Sequence, residues 1–339
     1  MPAPPRLTLI VPGIGAALAQ SPAHTAESID APTLARVAGR GALSCAWSRR
    51  DAQHAGLRSW QRGLLATLDL SPGACASAPV SACGSGIAQA GEYWMQLEPV
   101  HFAAGLDRLS FLPLSGAAAV QEAELAALAP LLAGHLRSCG MELHTLADGG
   151  WSARCERAWS VDTVNPEAAT ARELDQVMPK GLDAGPLRRL MTELQMLLHD
   201  HPVNDARARH GLPAINAIWF WGTGSVPAPQ PAGELPPAYG DLPYLHGIYA
   251  LHKQSLQPAP ATCDAMLAAI ATAKRALAVI PCADLQALDA QWIAPLHAAL
   301  ASRRIARLEL ILDSWLLHLD RAALRRFWRK ALPPSQWAA

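Results

Sequence analysis

The polar residues whose spacing most suggests chemistry lie within residues 187–227. Asn204 and Arg207 are three residues apart, in a short stretch that begins at Pro202 and ends near Gly211. In a helix this spacing places an amide and a guanidinium on one face. A guanidinium can hold a phosphate or a carboxylate through two parallel hydrogen bonds. The pair therefore predicts either an anion-binding face or a tie between this helix and the backbone carbonyls of neighbouring loops.

A second candidate is the run WFWGTG at residues 219–224. Residues 217–221 are rich in β-forming side chains and predict a buried strand that ends at the glycines, an order typical of an α/β sheet whose ligands bind beyond the strand ends. Gly222 and Gly224 have no side chains, so a backbone or a ligand can approach them closely. Trp221, Gly222 and Gly224 are therefore predicted to form either a ligand rim or a structural turn.

Metal-ligand and nucleophile patterns are weak. His199 and His201 are two residues apart, and such residues point in different directions on a helix, which favours surface or capping roles. Asp313 follows a predicted strand and His318 lies five residues further on, so these two are weak metal candidates without companions. No H-E-x-x-H, G-x-S-x-G, C-x-x-C or phosphate-loop motif occurs.

Composition narrows the class of protein. A chain of 339 residues with 51% hydrophobic and 17% charged residues suits one large α/β domain carrying an insertion, or two domains. Basic and acidic residues number 28 each, which argues against a nucleic-acid-binding footprint spread over the whole surface and leaves only a local patch open. Seven scattered cysteines predict free thiols in a reducing cytoplasm. No apolar run is long enough to span a bilayer, and proline and glycine interrupt the apolar start, so neither a membrane protein nor a secretory signal is predicted.

The predicted elements alternate between strands and helices. Apolar β runs at residues 7–11, 276–280 and 308–312, with a helix over 284–301, predict a parallel sheet. Helices are also predicted over 52–68, 239–256 and, with a basic face, 321–330, whereas the small residues 71–91 predict a loop. A β-β-α-β-β pattern, with a helix over 121–136 and strands over 141–146 and 151–159, predicts an α+β module. We expect residues 1–99 and 186–339 to form the α/β core and residues 100–185 to form the inserted module.

Several segments resemble archaeal-type cofactor-independent phosphoglycerate mutases of the alkaline phosphatase superfamily. The similarity is most specific in HPVN at 201–204, in Arg207, Gly211, Ala214 and Asn216, and in WGTG at 221–224. The segment SIDAPTLARVAGRG at 28–41, with Asp30 as a predicted helix cap, is similar to an early helix of that family. EPVHFAAGLDRLSFL, LDQVMPKG and HPVNDARARHG resemble more closely a divergent bacterial group, the RpfE-type regulatory proteins.

The resemblance implies an alkaline-phosphatase-like three-layer α/β/α sandwich with a small inserted α+β module. It also implies a ligand site formed by Asn204, Arg207, Asn216, Trp221, Gly222 and Gly224. In active members of the family, two divalent metals, usually manganese or zinc, are held by Asp and His residues, and a serine carries the phosphoryl group. The two cations neutralise the attacking and leaving oxygens.

The catalytic positions of the family are not matched here. Its first-strand Asp-Gly corresponds to Pro12-Gly13, its serine segment finds only a poor match in residues 48–56, and its late Asp-His pair corresponds to Asp313-Ser314. We therefore expect a catalytically degenerate protein without catalytic residues or a cofactor, in a regulatory or anion-binding role. Its partners would be a small phosphorylated or carboxylate ligand or another protein, but neither nucleic acid nor membrane. The alternative is an active metal-dependent phosphomutase or phosphatase that uses manganese or zinc on a small phosphorylated metabolite.

Overall fold

The first of two sheets forms the centre of the larger part of the molecule. The computed structural model describes residues 3–20, 31–47, 56–105, 109–170, 172–229 and 233–337. Six strands are hydrogen-bonded in the spatial order β2-β11-β10-β1-β9-β8. Their bounds are β1 (Arg6–Val11), β2 (Ala42–Cys45), β8 (Ala238–Tyr239), β9 (Arg275–Val279), β10 (Arg307–Leu312) and β11 (Trp315–Asp320).

Strand β1 lies between two parallel neighbours. Leu7 is opposite both Leu308 of β10 and Ala276 of β9. The apolar β runs at 7–11, 276–280 and 308–312 are thus confirmed as adjacent parallel strands. Strand β11 reverses direction and pairs antiparallel with β10 and with β2 at the edge.

Fourteen helices of the described residues surround the two sheets. In chain order they are α1 (Gly15–Gln20), α2 (Pro32–Arg40), α3 (Ser59–Thr67), α4 (Ser77–Gly84), α5 (Glu122–Ser138), α6 (Pro166–Thr170), α7 (Leu174–Val177), α8 (Ala184–His199), α9 (Pro202–Arg209), α10 (Pro243–Leu251), α11 (Cys263–Ala269), α12 (Leu285–Leu288), α13 (Ala294–Ala301) and α14 (Arg321–Leu324). A π-helical turn (Asp289–Ile293) joins α12 to α13, which confirms the helix expected over 284–301.

Helices cover both faces of the first sheet. Because neighbouring residues of a strand point to opposite faces, each strand contacts both layers of helices. On one face, Leu9 packs in a core with Leu34 of α2. On the other, Ile10 packs in a separate core with Leu64 of α3 and Ile248 of α10. The expected α/β/α sandwich is confirmed.

The second sheet is antiparallel throughout. Its strands are β3 (Tyr93–Ala104), β4 (Leu109–Pro113), β5 (Met141–Thr145), β6 (Trp151–Cys155) and β7 (Ala217–Ser225). Strand β3 pairs with β7 along one edge and with β6 and then β4 along the other, and β5 follows β6. Helices α5 and α8 contribute leucines to its core. The sheet also includes the part of β3 before residue 100 and all of β7, which lies after residue 185. The domain boundaries at 100 and 185 stay a prediction.

The prediction for residues 217–224 is wrong in two respects. Strand β7 joins the second, antiparallel sheet, and it continues through the glycines to Ser225. These two positions are glycines because α4 packs closely on the strand there. A β-carbon on Gly222 would lie 2.7 Å from the Ser77 Cβ, and one on Gly224 would lie 2.9 Å from the Ala76 Cβ. The glycines are approached by a helix, and no turn forms there.

Three further predictions of local structure are wrong. Residues 71–91 are not a loop, because they contain α4, whose small residues allow it to pack against α10 at Gly84 and Gly247. Helix α10 begins only at Pro243, after β8. The basic helix expected over 321–330 ends at Leu324, because the following chain packs against α2, where Arg326 donates a hydrogen bond to the Arg40 carbonyl.

The other predicted helices and strands are present, with ends shifted by a few residues. Helix α3 begins at Ser59, strand β6 ends at Cys155, and helices α8 and α9 fall where the apolar spacing and Pro202 place them. Asp30 and residues 48–55 lie outside the described residues. All seven cysteines are free, as expected. Among the described helices, none combines the length and the apolar character needed to cross a membrane.

Candidate functional site

A cavity of about 380 Å³ lies beside the carboxyl end of β1. Ligands of α/β proteins bind preferentially at this edge of a parallel sheet. Pro12 and Gly13, which follow β1, form one wall. Its polar and aromatic lining comes from both sheets and their helices and includes Arg58, Gln61, Gln96, Glu98, Asp148, Glu167, Trp221 and Tyr244.

Arg58, just before α3, forms an ion cluster with two carboxylates in this cavity. Its guanidinium contacts Glu98 of β3 closely and lies 3.4 Å from a Glu167 oxygen, with its carbon 4.9 Å from the Trp221 ring centroid. Burial alone would lower the pKa of Arg58, but the charges and hydrogen bonds of Glu98 and Glu167 outweigh it and raise that pKa. Among the described lining residues, this one guanidinium faces the carboxylates of Glu98 and Glu167, and Asp148 adds a third. The described part of the lining therefore carries more negative than positive charge.

A hydrogen-bonded chain of neutral side chains continues from this cluster. Gln61 donates to the Ser77 hydroxyl at 2.8 Å, and Ser77 donates to the Gln96 side chain at 2.8 Å. The Gln61 oxygen accepts a hydrogen bond from the Arg58 backbone at 2.9 Å. Because Gln61 and Ser77 are buried, these partners are required to compensate their lost hydration. The chain fixes α3 and α4 against β3.

The metal candidates Asp313 and His318 are not brought together. Asp313 occupies the turn between β10 and β11 with a φ of 56°, a left-handed conformation that aspartate tolerates. His318 pairs instead with Glu309 across β10, its Nδ1 lying 3.3 Å from the carboxylate. It lies three residues along β11 from the start of that strand, about 10 Å at the usual rise.

Asn204 binds backbone groups of neighbouring segments. Its amide nitrogen donates to the carbonyls of Leu198 and Ile215 at 2.8 and 3.0 Å, and its oxygen accepts from the Ile215 N–H at 2.7 Å. These contacts match the alternative in which this residue ties its helix to nearby loops. They close the turn between α8, α9 and β7.

Arg207 is 1% exposed and directs its guanidinium into the protein. It donates to both Glu124 oxygens at 3.1 and 2.9 Å, and to the carbonyls of Pro213 and Ala118, each at 2.7 Å. The described contacts of Arg207 are therefore internal, and they anchor α9 to α5.

The other predicted ligand residues lie just before β7 or within it. Asn216 forms two hydrogen bonds with the Phe102 backbone at 2.7 and 2.9 Å, extending the pairing with β3. Trp221, Gly222 and Gly224 lie toward the other end of the strand, where Trp221 borders the cavity. Asn216 and Gly222 are six residues apart, about 20 Å in a strand. The structure thus separates the six residues into two groups, and ligand binding by either group stays a prediction.

A groove of about 710 Å³ adjoins the second group. Thr223 of β7 lines it together with Thr163, Asp162, Arg172 and Lys180. The described charged side chains that line the groove are two cationic groups and one carboxylate, whereas carboxylates predominate among those described in the cavity beside β1. Lys180 is exposed at the surface of the groove.

Sequence reasoning did not identify Arg58, Glu98 or Glu167. These residues are separated by 40 and 69 positions, and none belongs to a recognisable motif. The one local signal was the capping box at the start of α3, in which Gln61 accepts from the Arg58 N–H. That signal predicts a helix start and carries no information about the distant carboxylates.

Three potential metal ligands converge once among the described residues, away from the parallel strand ends. His135, Cys139 and Glu193 have ligand atoms that lie within 4.8 Å of one another. His135 lies in α5, Cys139 directly follows that helix and Glu193 lies in α8; both helices cover the second sheet.

Comparison with known proteins finds local similarity to one class of enzyme. No family model matches the chain. A 2,3-bisphosphoglycerate-independent phosphoglycerate mutase of Methanothrix thermoacetophila is 35% identical over 86 residues, 25% of this chain and 19% of the relative. Its counterpart in Methanosarcina barkeri is 33% identical over 70 residues, 21% of this chain and 18% of the relative. Each match thus spans less than a fifth of the relative's length.

Two solved structures are distantly similar in backbone. A cofactor-independent phosphoglycerate mutase from Thermoplasma acidophilum has a TM-score of 0.40 at 12% identity, covering 100% of this chain and 96% of that one. A Pyrococcus horikoshii protein has a TM-score of 0.44 at 13% identity, with 96% and 93% covered. The local sequence matches confirm the predicted resemblance to the cofactor-independent phosphoglycerate mutases over those segments, and the resemblance to the RpfE-type group stays a prediction.

Proposed function

We propose that this chain is a catalytically degenerate relative of the phosphoglycerate mutases that acts by binding, with a regulatory role. The observation that carries the proposal is the chemistry at the carboxyl end of β1. Pro12 and Gly13 stand where the resemblance leads us to expect a metal-binding aspartate, and the adjacent cation, Arg58, is held by two carboxylates. Phosphoryl transfer by two metals needs hard ligands that hold both cations at this edge.

The mutase reaction would also need a site for an anionic substrate. The described charges that line the cavity beside β1 are mostly carboxylates, which would repel a phosphorylated acid. The groove beside Thr223 is lined by the exposed Lys180, and its threonine hydroxyls can donate to phosphate or carboxylate oxygens. We therefore propose that a small phosphorylated or carboxylate ligand binds the groove. The seven free cysteines support a cytoplasmic location.

A mutase assay with metal analysis of the full chain tests the loss of catalysis. The full chain is required because residues 21–30 and 48–55 contain further Asp, His and Ser side chains. We expect no interconversion of 3- and 2-phosphoglycerate in the presence of Mn²⁺ or Zn²⁺. Turnover that depends on two bound metals per chain would establish the active phosphomutase instead.

Thermal unfolding with 3-phosphoglycerate tests the anion site. A ligand present at about 100 times its dissociation constant stabilises the folded state by about 2.7 kcal/mol. We expect Lys180→Gln to reduce this ligand-induced shift in melting temperature, and Lys274→Gln, which removes an exposed lysine outside the groove, to leave it unchanged. Equal ligand-induced shifts in melting temperature in the two variants would show that the groove is not the binding site.

A further inference from the structure

Two potential metal ligands lie at the end of α5. His135 lies in the last turn of α5, and Cys139, four residues further on, is the C-cap residue that directly follows the helix, so the two lie on the same side of it. Across from them, Glu193 of α8 places a carboxylate oxygen 2.9 Å from the His135 Nε2. The imidazole nitrogen, the thiol sulfur and the carboxylate oxygen all lie within 4.8 Å of one another.

We propose that His135, Cys139 and Glu193 bind one zinc-class divalent cation, separately from the cavity and the groove. One nitrogen, one sulfur and one oxygen ligand suit the borderline-soft Zn²⁺ ion, which is usually four-coordinate. Three protein ligands leave the fourth position to water or to a small ligand. On binding, the Cys139 thiol loses its proton to the buffer, as metal coordination requires. Thiolate, carboxylate and neutral imidazole then balance the two charges of the ion.

The surroundings favour a cation and allow it to enter. The site lies at the carbonyl end of α5, where the helix dipole is negative. His135, Cys139 and Glu193 are all half-buried, so the ion can reach them from solvent. Arg189 is paired with Glu193 at 3.0 Å, but its side chain is 83% exposed. Such an exposed salt bridge contributes little to stability, so the ion can displace Arg189 from the Glu193 carboxylate at a small cost in free energy.

A bound ion would link the two helices that cover the second sheet. Helix α5 contributes buried Leu128, Leu132 and Leu136 to that core, and α8 contributes Leu187, Leu190 and Leu194. The same α5 carries Glu124, the partner of Arg207. The ion would therefore stabilise this part of the fold and would make the stability of the protein dependent on zinc.

Cobalt titration of the full-length protein tests the site directly. Co²⁺ substitutes for Zn²⁺ and gives a near-ultraviolet sulfur-to-metal charge-transfer band only if a thiolate binds it. We expect one equivalent of Co²⁺ to produce this band, and Zn²⁺ to displace it. Cys139→Ser should abolish the band, and Glu193→Gln should weaken Zn²⁺ binding by about 100-fold or more, since even outer-shell changes cost 10- to 100-fold.

Matched variants control for the loss of a thiol or of a carboxylate elsewhere. Cys45→Ser removes an exposed thiol, and Glu142→Gln removes a carboxylate that also pairs with an arginine and a histidine. Both should bind Zn²⁺ as the unmodified protein does. Absence of a one-to-one complex, or equal affinities in Cys139→Ser and Cys45→Ser, would overturn the proposal.

Alkylation mapping provides a second readout that does not depend on the folding of a variant. In the unmodified protein, Zn²⁺ should slow iodoacetamide labelling of Cys139 and leave the labelling of Cys45 unchanged. Equal labelling with and without saturating Zn²⁺ would contradict the site. Zinc at this position without turnover leaves the proposed function intact, whereas metal-dependent turnover that persists in Cys139→Ser overturns the proposed function alone.

Discussion

Replacing Arg207 by methionine separates its structural role from a ligand-binding role. The substitution keeps an unbranched apolar stem but removes the guanidinium that bonds to Glu124 and to the carbonyls of Pro213 and Ala118. The Glu124 carboxylate keeps one hydrogen bond, from the Gln121 N–H at 2.8 Å. The two carbonyls lose the Arg207 donor entirely.

The expected loss in the free energy of unfolding follows from the burial of the Arg207–Glu124 ion pair. Removing one partner of a buried pair costs about 3 to 5 kcal/mol, because the remaining groups are left without compensation. The Glu124 side chain is 18% exposed, so water can reach it and the cost should fall in the lower half of that range. We expect the free energy of unfolding, measured by urea denaturation, to decrease by about 3 to 4 kcal/mol.

Two further variants complete the experiment. Arg304→Met breaks an exposed pair with Asp264 and should cost less than about 1 kcal/mol. In Arg207→Met combined with Glu124→Gln, the loss should be smaller than the sum of the two single losses, because both remove the same interaction. If Arg207→Met kept its stability but lost the response to 3-phosphoglycerate, the structural assignment would be refuted and Arg207 would be a ligand residue.

Three other expectations concern backbone geometry, thiol reactivity and pH. Gly222→Ala should lower the unfolding free energy by about 1 to 3 kcal/mol in urea denaturation, because its φ is 61° and α4 blocks the new methyl group, whereas Gly134→Ala, in open space on α5, should raise it by about 0.5 to 1 kcal/mol. Burial raises the pKa of Cys155 to about 12, so mass spectrometry should find it alkylated far more slowly than exposed Cys45 at neutral pH; equal rates would contradict its burial. Burial, and to a smaller extent Arg36 and Arg40, lower the pKa of His297, so the unfolded state binds the proton more readily. The free energy of unfolding should therefore fall as the pH drops below about 6.5. His297→Gln should reduce this pH dependence in urea denaturation measured across the same range. An unchanged slope of the unfolding free energy against pH would show that His297 does not cause the dependence.

Apolar periodicity predicted the parallel strands and several helices well. The β runs at 7–11, 276–280 and 308–312 are almost continuously apolar because both faces of the first sheet are covered by helices. Leu187, Leu190 and Leu194 recur at helical spacing because one face of α8 packs in a core. Such patterns result from burial of the segment itself, so they can be recognised without knowledge of its neighbours.

Small and charged residues carry less information about local structure. The glycines at 222 and 224 fit a turn or a close contact equally well, and only the position of α4 distinguishes the two. Residues 71–91 resemble a loop in composition, although close approach of α10 makes small residues suitable for a helix there. Arg207 fits anion binding or an internal anchor, depending on whether a carboxylate 83 positions away lies beside it.

The sequence by itself determined the α/β class, the parallel core strands, the two helices before β7 and the resemblance to the phosphoglycerate mutases. Only the tertiary structure decided that β7 pairs with β3, that Asn204 and Arg207 bind internal groups, and that Arg58 meets Glu98 and Glu167. The physical reason is the range of the interactions. Hydrophobic periodicity and helix caps act within one segment, whereas a salt bridge or a sheet edge depends on which distant segments the whole fold brings into contact.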